Sequence, residues 1–190
     1  NNHGGLYNRI TCEIRLAPFT LGECEAFFKE KQVNLSRYDI IQSYMILGGI
    51  PYYLDYFERG LSLAQNIDLL FFSPGAVLEN EYDRLFSSIF SNPSMMKSIV
   101  ELLFSRNAGY TRKEICEKLH LSSGSIISSS LNALVGSGFV IRYVPFGMKK
   151  TEEHYKLVDP FCLFYLHFLH DKRKPDPHFW MHNQNMAALN

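Results

Sequence analysis

Residues 110–158 read YTRKEICEKLHLSSGSIISSSLNALVGSGFVIRYVPFGMKKTEEHYKLV, and the punctuation of this stretch decides the fold. Thr111 followed three residues later by Glu114 has capping-box spacing, in which each side chain serves the other's free backbone N–H. A short helix therefore opens there, carrying Ile115, Cys116 and Leu119. Leu121-Ser122-Ser123-Gly124 breaks it. A longer helix follows, with Ile127, Leu131, Leu134 and Val135 on one face, and Gly136 and Gly138 stop it. Val140–Val144 and Tyr155–Val158 read as two strands around a polar, basic turn. A helix over Pro93–Ser105 and a turn at Asn107-Ala108-Gly109 come before all of this. Helix, helix, turn, helix and a two-stranded wing is the order of a winged helix-turn-helix.

Upstream the rhythm is helical. Thr20 with Glu23 and Ser36 with Asp39 are two more capping boxes. The first opens a helix to about Lys31 with Cys24, Phe27 and Phe28 on one face, and the second a helix carrying Ile40, Ile41, Tyr44, Met45 and Leu47. Gly48-Gly49 ends that helix, and Pro51 sits in the first turn of the next, where its missing donor does no harm. Gly60 closes this short helix, and two further helices are predicted over Ser62–Phe72 and Val77–Phe90, separated by Ser73-Pro74-Gly75. One short strand is expected ahead of them, at Cys12–Leu16. The expected fold class is mainly α with minor β.

The chain of 190 residues can bury roughly two-thirds of its unfolded surface, and 46% hydrophobic with 20% charged residues excludes a largely disordered chain. No run of about 18 uncharged apolar residues exists to span a membrane. Cys12, Cys24, Cys116 and Cys162 are scattered without a CxxC, which reads as reduced thiols in a cytoplasmic protein. The chain opens at Asn1 without an initiator Met and closes on a polar run, so a piece of a longer polypeptide is expected. Charge is balanced overall, with 19 basic and 19 acidic residues, but net −4 over 1–91 and net +4 over 92–190. Two units with different partners are the expectation.

DNA contact by the second unit would need phosphate-neutralising charge. The helix 124–136 has no basic residue and would offer Ser125, Ser128, Ser129 and Asn132 instead. Arg112, Lys113 and Lys118 precede it, and Arg142, Lys149, Lys150 and Lys156 lie on the wing. From Tyr110 to Lys156 the balance is a modest 7 basic to 4 acidic. A structural or interdomain role is favoured over DNA binding. His167 with His170, and His178 with His182, have helical spacing, but Lys172-Arg173-Lys174-Pro175 between them repels cations, so no metal site is expected. Cys116 and His120 are read as packing, Phe161, Phe164, Tyr165 and Phe168 as core, and neither GxSxG nor GxxxxGK[ST] occurs.

Several stretches in order resemble one family. Gly4-Gly5-Leu6-Tyr7-Asn8-Arg9 with Ile14-Arg15-Leu16-Ala17-Pro18-Phe19 is similar to the end of a nucleotide-binding core. Tyr44-Met45-Ile46-Leu47-Gly48-Gly49-Ile50-Pro51-Tyr52-Tyr53-Leu54 is similar to a lid motif. Val144–Lys150 with Tyr155–Phe161 is similar to a wing and its exit. The family is that of bacterial and archaeal AAA-type P-loop ATPases related to the signal-transducing STAND ATPases, abundant in Bacteroides-like genomes, and the likeness covers nearly the whole chain.

The resemblance implies that residues 1–9 end the nucleotide-binding core, 10–91 form a helical lid, 92–160 a winged helix-turn-helix, and 161–190 an exit helix and linker. Gly48, Gly49, Ile50 and Pro51 would then form a lid turn against the adenine, where glycine lets backbone approach a flat base. Arg9 would sense or stabilise the γ-phosphate, in cis or in trans. Walker A and B, which hold ATP and Mg²⁺ in such proteins, would precede this chain, and a restriction-nuclease-like domain often follows. The chain alone would not be catalytic. The expected function is to close over nucleotide and relay its state to DNA or a neighbouring domain. The rival is a stand-alone winged-helix transcriptional regulator with Arg112, Lys113, Ser125, Ser128, Ser129, Lys149 and Lys150 on nucleic acid.

Overall fold

Capping boxes start the helices where the side-chain spacing places them. Thr20 with Glu23, Ser36 with Asp39 and Thr111 with Glu114 are reciprocated in both directions, as is Ser62 with Gln65. Each such cap contributes about 1 kcal/mol to its helix. The computed structural model describes residues 16–121, 124–149, 152–170 and 176–183. Arg9 and residues 12–15 of the expected strand lie outside these residues, as do Ser122, Ser123, Lys150 and the Lys172–Pro175 run, and Leu16 is described outside any strand.

The first half is helical: α1 (Leu21–Glu30), α2 (Arg37–Leu47), α3 (Pro51–Leu54) and α4 (Leu63–Ile67). α4 runs on without a break into a π-helical segment, Asp68–Phe72, in which the Ser73 N–H reaches back five residues to the Asp68 carbonyl at 2.8 Å. The helix expected over 62–72 thus changes winding midway. Wider winding lets Asp68, Leu70, Phe71 and Phe72 all be buried while Leu69 is exposed. α5 occupies Glu81–Ile89, shorter than the helix expected over 77–90. Residues 77–80 are turns because the Leu78 N–H is drawn to the Leu70 carbonyl at 3.0 Å. α3 ends at Leu54, well before Gly60.

The second half contains α6 (Pro93–Phe104), β1 (Tyr110–Thr111), α7 (Arg112–Lys118), α8 (Ser125–Gly136), β2 (Val140–Tyr143) and β3 (His154–Leu157). The strands form one antiparallel sheet in the order β1-β3-β2, with Tyr110 opposite Tyr155 and Val140 opposite Leu157. Gly109, at φ +68°, allows β1 to close on β3: a Cβ there would stand 2.0 Å from the Tyr155 carbonyl oxygen. The fold is mainly α with this one small sheet among the described residues.

α9 (Pro160–Phe168) and α10 (Phe179–His182) complete the described chain. The described helices of the stretch expected to be an exit helix and linker are packed into the interior. Phe161 stacks on Tyr53, Phe164 lies 4.9 Å from Phe71, and Tyr165 lies parallel to Tyr82 at 4.4 Å. Phe168 meets Trp180 edge-on at 5.1 Å. Each such pair contributes about 0.5–1.5 kcal/mol beyond the area it buries. The apolar core runs continuously from Cys24 to Trp180, across the boundary expected at residue 91.

Within α2 the buried face differs from the one the apolar residues suggest. Ile40, Ser43, Ile46 and Leu47 are buried, whereas Ile41 and Met45 are exposed. Ser43 is tolerated inside because its hydroxyl donates to the Ile40 carbonyl at 2.8 Å.

Candidate functional site

The turn after α2 is shaped by two glycines in the left-handed region. Gly48, at φ +70°, caps α2 and donates its N–H to the Tyr44 carbonyl at 2.8 Å. Gly49, at φ +69°, is buried, and its carbonyl accepts the Phe19 N–H at 2.8 Å. A Cβ on Gly49 would stand 2.4 Å from the Phe19 carbonyl oxygen and 2.6 Å from the Tyr44 ring. The close approach these glycines permit is thus taken by the protein's own chain. Gly48 meets Pro160, at the start of α9, with its ring 3.4 Å from the corresponding point. Ile50 is half-buried as the residue before α3, and Pro51 takes the first helical position.

The open part of this turn is Pro51 and the aromatic residues beyond it. Pro51 and Tyr52 are exposed, and Tyr52 lies edge-on to Tyr56 at 5.2 Å, with the Tyr56 hydroxyl donating to that of Tyr52 at 2.8 Å. This hydrogen bond pushes the Tyr56 phenol above its ordinary pKa. The pair forms a neutral aromatic surface on which a flat ring can stack.

The other predicted site lies on α7, α8 and the β2–β3 hairpin. Burial alone would raise the Glu114 carboxyl, but the Thr111 N–H and hydroxyl and the Arg106 guanidinium together hold it down at about 2. Arg106 also lies over the Tyr110 ring at 3.7 Å, which fixes β1 to the start of α7. Arg112 reaches across to donate to the Gly124 carbonyl, just ahead of α8, at 3.2 Å. Lys113 pairs with Glu117 at 3.8 Å and Arg142 with Glu153 at 3.4 Å. Lys118 lies over Tyr110 at 5.6 Å.

Ser125, Ser129 and Asn132 are exposed on α8, and Ser128 is half-buried among them. The structure therefore brings the serines to one accessible helix but places carboxylates or a carbonyl beside Arg112, Lys113 and Arg142. Lys149 is exposed near the hairpin tip, where its backbone N–H donates to Glu152 at 3.0 Å. Phe146 at this tip is fully exposed, flanked by the exposed Val144 and Met148. The sequence marked Phe146 only as part of a family-like wing and gave no sign that it would protrude.

The remaining candidates separate. Cys116 is buried, while His120 is exposed beyond the end of α7 at φ +53°, which ends the helical register between them. His170 lies 3.8 Å from Glu101, and His182 hydrogen-bonds Asp176 at 2.6 Å. Among the described residues no three His, Cys, Asp or Glu side chains converge as metal ligands. Likewise, no described helix is long and apolar enough to cross a membrane.

Asp68 has a role that no sequence signal announced. Buried in the π-helical segment, its carboxylate accepts the backbone N–H groups of Trp180 at 2.7 Å and Met181 at 3.1 Å. Burial raises its pKa, against the lowering effect of those two N–H groups and of His178. Comparison with protein-family models, curated proteins and solved structures finds no match to this chain.

Proposed function

We propose that this chain is the lid and winged-helix portion of a nucleotide-switched AAA/STAND-like P-loop ATPase, acting in the cytoplasm as a relay. The run α6-β1-α7-α8-β2-β3 with a β1-β3-β2 sheet supports the winged-helix half of this reading. The contact between Gly48 and Pro160 carries the relay. It joins the turn proposed to feel nucleotide to the helix that leaves the wing. The Val158 and Asp159 N–H groups, at that helix's entry, both donate to the Phe139 carbonyl, at 3.0 and 3.2 Å. Displacement at the turn therefore has a short mechanical path into the small sheet.

Adenine would rest on Pro51 and Tyr52, with Ile50 behind them and Gly48-Gly49 setting the turn's shape. ATP with Mg²⁺ supplies a scissile phosphoanhydride and the charge that neutralises it. The described residues suit only the base end of such a ligand, since they hold no phosphate-cradling loop. Arg9 and the Walker residues would serve the phosphates. Nucleotide binding to one lid position would bias lid and wing together.

The output is proposed to be a neighbouring protein domain, such as a C-terminal nuclease-like domain, ahead of DNA. Carboxylates beside Lys113 and Arg142 offset part of the positive charge around α8, and the exposed Phe146 suits an apolar protein contact. The test is an equilibrium titration of adenine nucleotide against the complete encoded protein. Pro51→Ser and Tyr52→Ala should each weaken affinity about tenfold, the scale of a lost stacking contact, while the chain keeps its cooperative melting. Unchanged affinity in both variants overturns the lid assignment. Strongly salt-dependent binding of duplex DNA by the chain would put the regulator reading first.

A further inference from the structure

A cavity of about 560 Å³ lies between α2, α6, β3 and α9, with Trp180 of α10 in its wall. That volume is in the range of small-molecule sites, roughly 300–1,000 Å³. Buried Ile46, Leu103, Leu157, Phe164, Phe168 and Trp180 make an apolar interior, and the exposed Met45 and Leu163 stand at the rim. Met45 and Leu163 are apolar residues that the core leaves at the surface, and here they extend the wall of the cavity.

Four polar residues also line it: Gln42, Asn107, Lys156 and His167. Among the described residues none of the four has a side-chain hydrogen-bond or ion-pair partner. Among the described residues Lys156 is the only lining residue with a formal charge, and none of them contributes a carboxylate. Three of the four lie near the C-terminal end of α6. Asn107 lies two residues before Gly109, whose Cβ position is 3.1 Å from the Lys156 Cα, and His167 lies edge-on to Phe104 at the end of α6. The nearby Arg106 is committed to Glu114 and the Tyr110 ring.

An apolar interior with one uncompensated ammonium favours a ligand with an aliphatic body and a single negative head. We propose that this cavity binds a medium-chain aliphatic carboxylate. The chain lies along Ile46, Leu103, Phe164 and Phe168, and the head group is held by Lys156 with Asn107 and His167 as further polar partners. The cavity is formed by α2 of the first half and α6, β3 and α9 of the second, so an occupied cavity resists any motion that separates them.

Trp180 is the single tryptophan of the chain, so its fluorescence reports this cavity directly. The experiment titrates the full chain with sodium decanoate, 1-decanol and sodium hexanoate, all below their aggregation concentrations. Decanoate should give a saturable change in emission. Decanol should bind at least tenfold more weakly, and hexanoate more weakly still, by about fourfold for each methylene removed. Lys156→Gln should weaken decanoate about tenfold and leave decanol unchanged. Leu163→Glu puts a carboxylate in the apolar wall and should weaken both decanoate and decanol, a second check that does not depend on how Lys156→Gln folds. Absence of a saturable change, or equal affinity for decanoate and decanol in the wild type, overturns the proposal. A folded Lys156→Gln variant that keeps full preference for decanoate overturns it as well.

Discussion

The carboxylate of Asp68 holds the backbone N–H of Trp180 at 2.7 Å, between positions 112 residues apart in the chain. With Met181 as a second donor, the buried side chain does for α10 what an N-cap residue does for its own helix. A four-residue helix has no independent stability, so this remote cap and the packing of Trp180 against Phe72, Phe164 and Phe168 hold it in place.

Asp68→Ala should release α10. Two N–H groups lose their acceptor at a buried site, a loss of about 2 kcal/mol after relaxation and the relief of burying a charge. Trp180 emission should shift to the red as the ring reaches water, and Asp68→Asn, which keeps one acceptor, should fall between. Wild-type emission in Asp68→Ala would show that aromatic packing alone holds the helix.

Glu114 makes stability depend on acidity. Its carboxyl is held at about 2 in the folded protein, below its ordinary value of 4.5. The native state therefore gains from ionised Glu114 above the ordinary value, and the gain is lost as pH falls towards 2. Allowing for solvent screening of this partly exposed side chain, the loss is about 1–2 kcal/mol. Urea melts at pH 7 and pH 3 should show it in the wild type, with the Glu114→Gln variant less sensitive by that amount.

Gly49→Ala should cost about 3 kcal/mol. Gly75→Ala, with a similar positive φ and nothing within 4 Å of its Cβ position, should cost about 1–2 kcal/mol from backbone strain alone. The excess at Gly49 comes from displacing Phe19 and Tyr44. Denaturant midpoints of the two variants measure it, and equal losses would show that the residue 16–20 segment gives way freely.

Phe146→Ser should change stability by less than about 0.5 kcal/mol, since the ring is fully exposed. In the proposed role the same variant should weaken contact between the hairpin and a neighbouring domain, read as faster release in a binding assay. Unchanged release would move the output surface away from the tip.

Local chemistry was legible in the sequence where one side chain decides it. The Thr20, Ser36 and Thr111 caps, the Gly48 stop and the Pro51 start all fall where their spacing puts them. Features set by distant partners were not. Val77–Asn80 has helical composition but is drawn into turns by Leu70. Tyr110-Thr111 is too short to read as a strand without β3 beside it. Ile41 and Met45 resemble core residues, yet α9 and α1 lie on another face of α2. For the candidate site, the sequence marked Gly48–Pro51 as a turn but could not reveal that Phe19, Tyr44 and Pro160 occupy its inner side. Asp68 had no legible signal, because its partners are backbone groups far along the chain.

The central position of α9 also bears on how the polypeptide comes off the ribosome. Tyr53, Phe71 and Tyr82 are made long before Phe161, Phe164 and Tyr165, the rings that cover them. Until those residues leave the exit tunnel, the nascent chain carries an uncovered aromatic surface, a natural substrate for holding chaperones. Premature stops before Pro160 should therefore yield aggregates in place of a shorter stable domain, and synthesis must pass this point before the first half can rest.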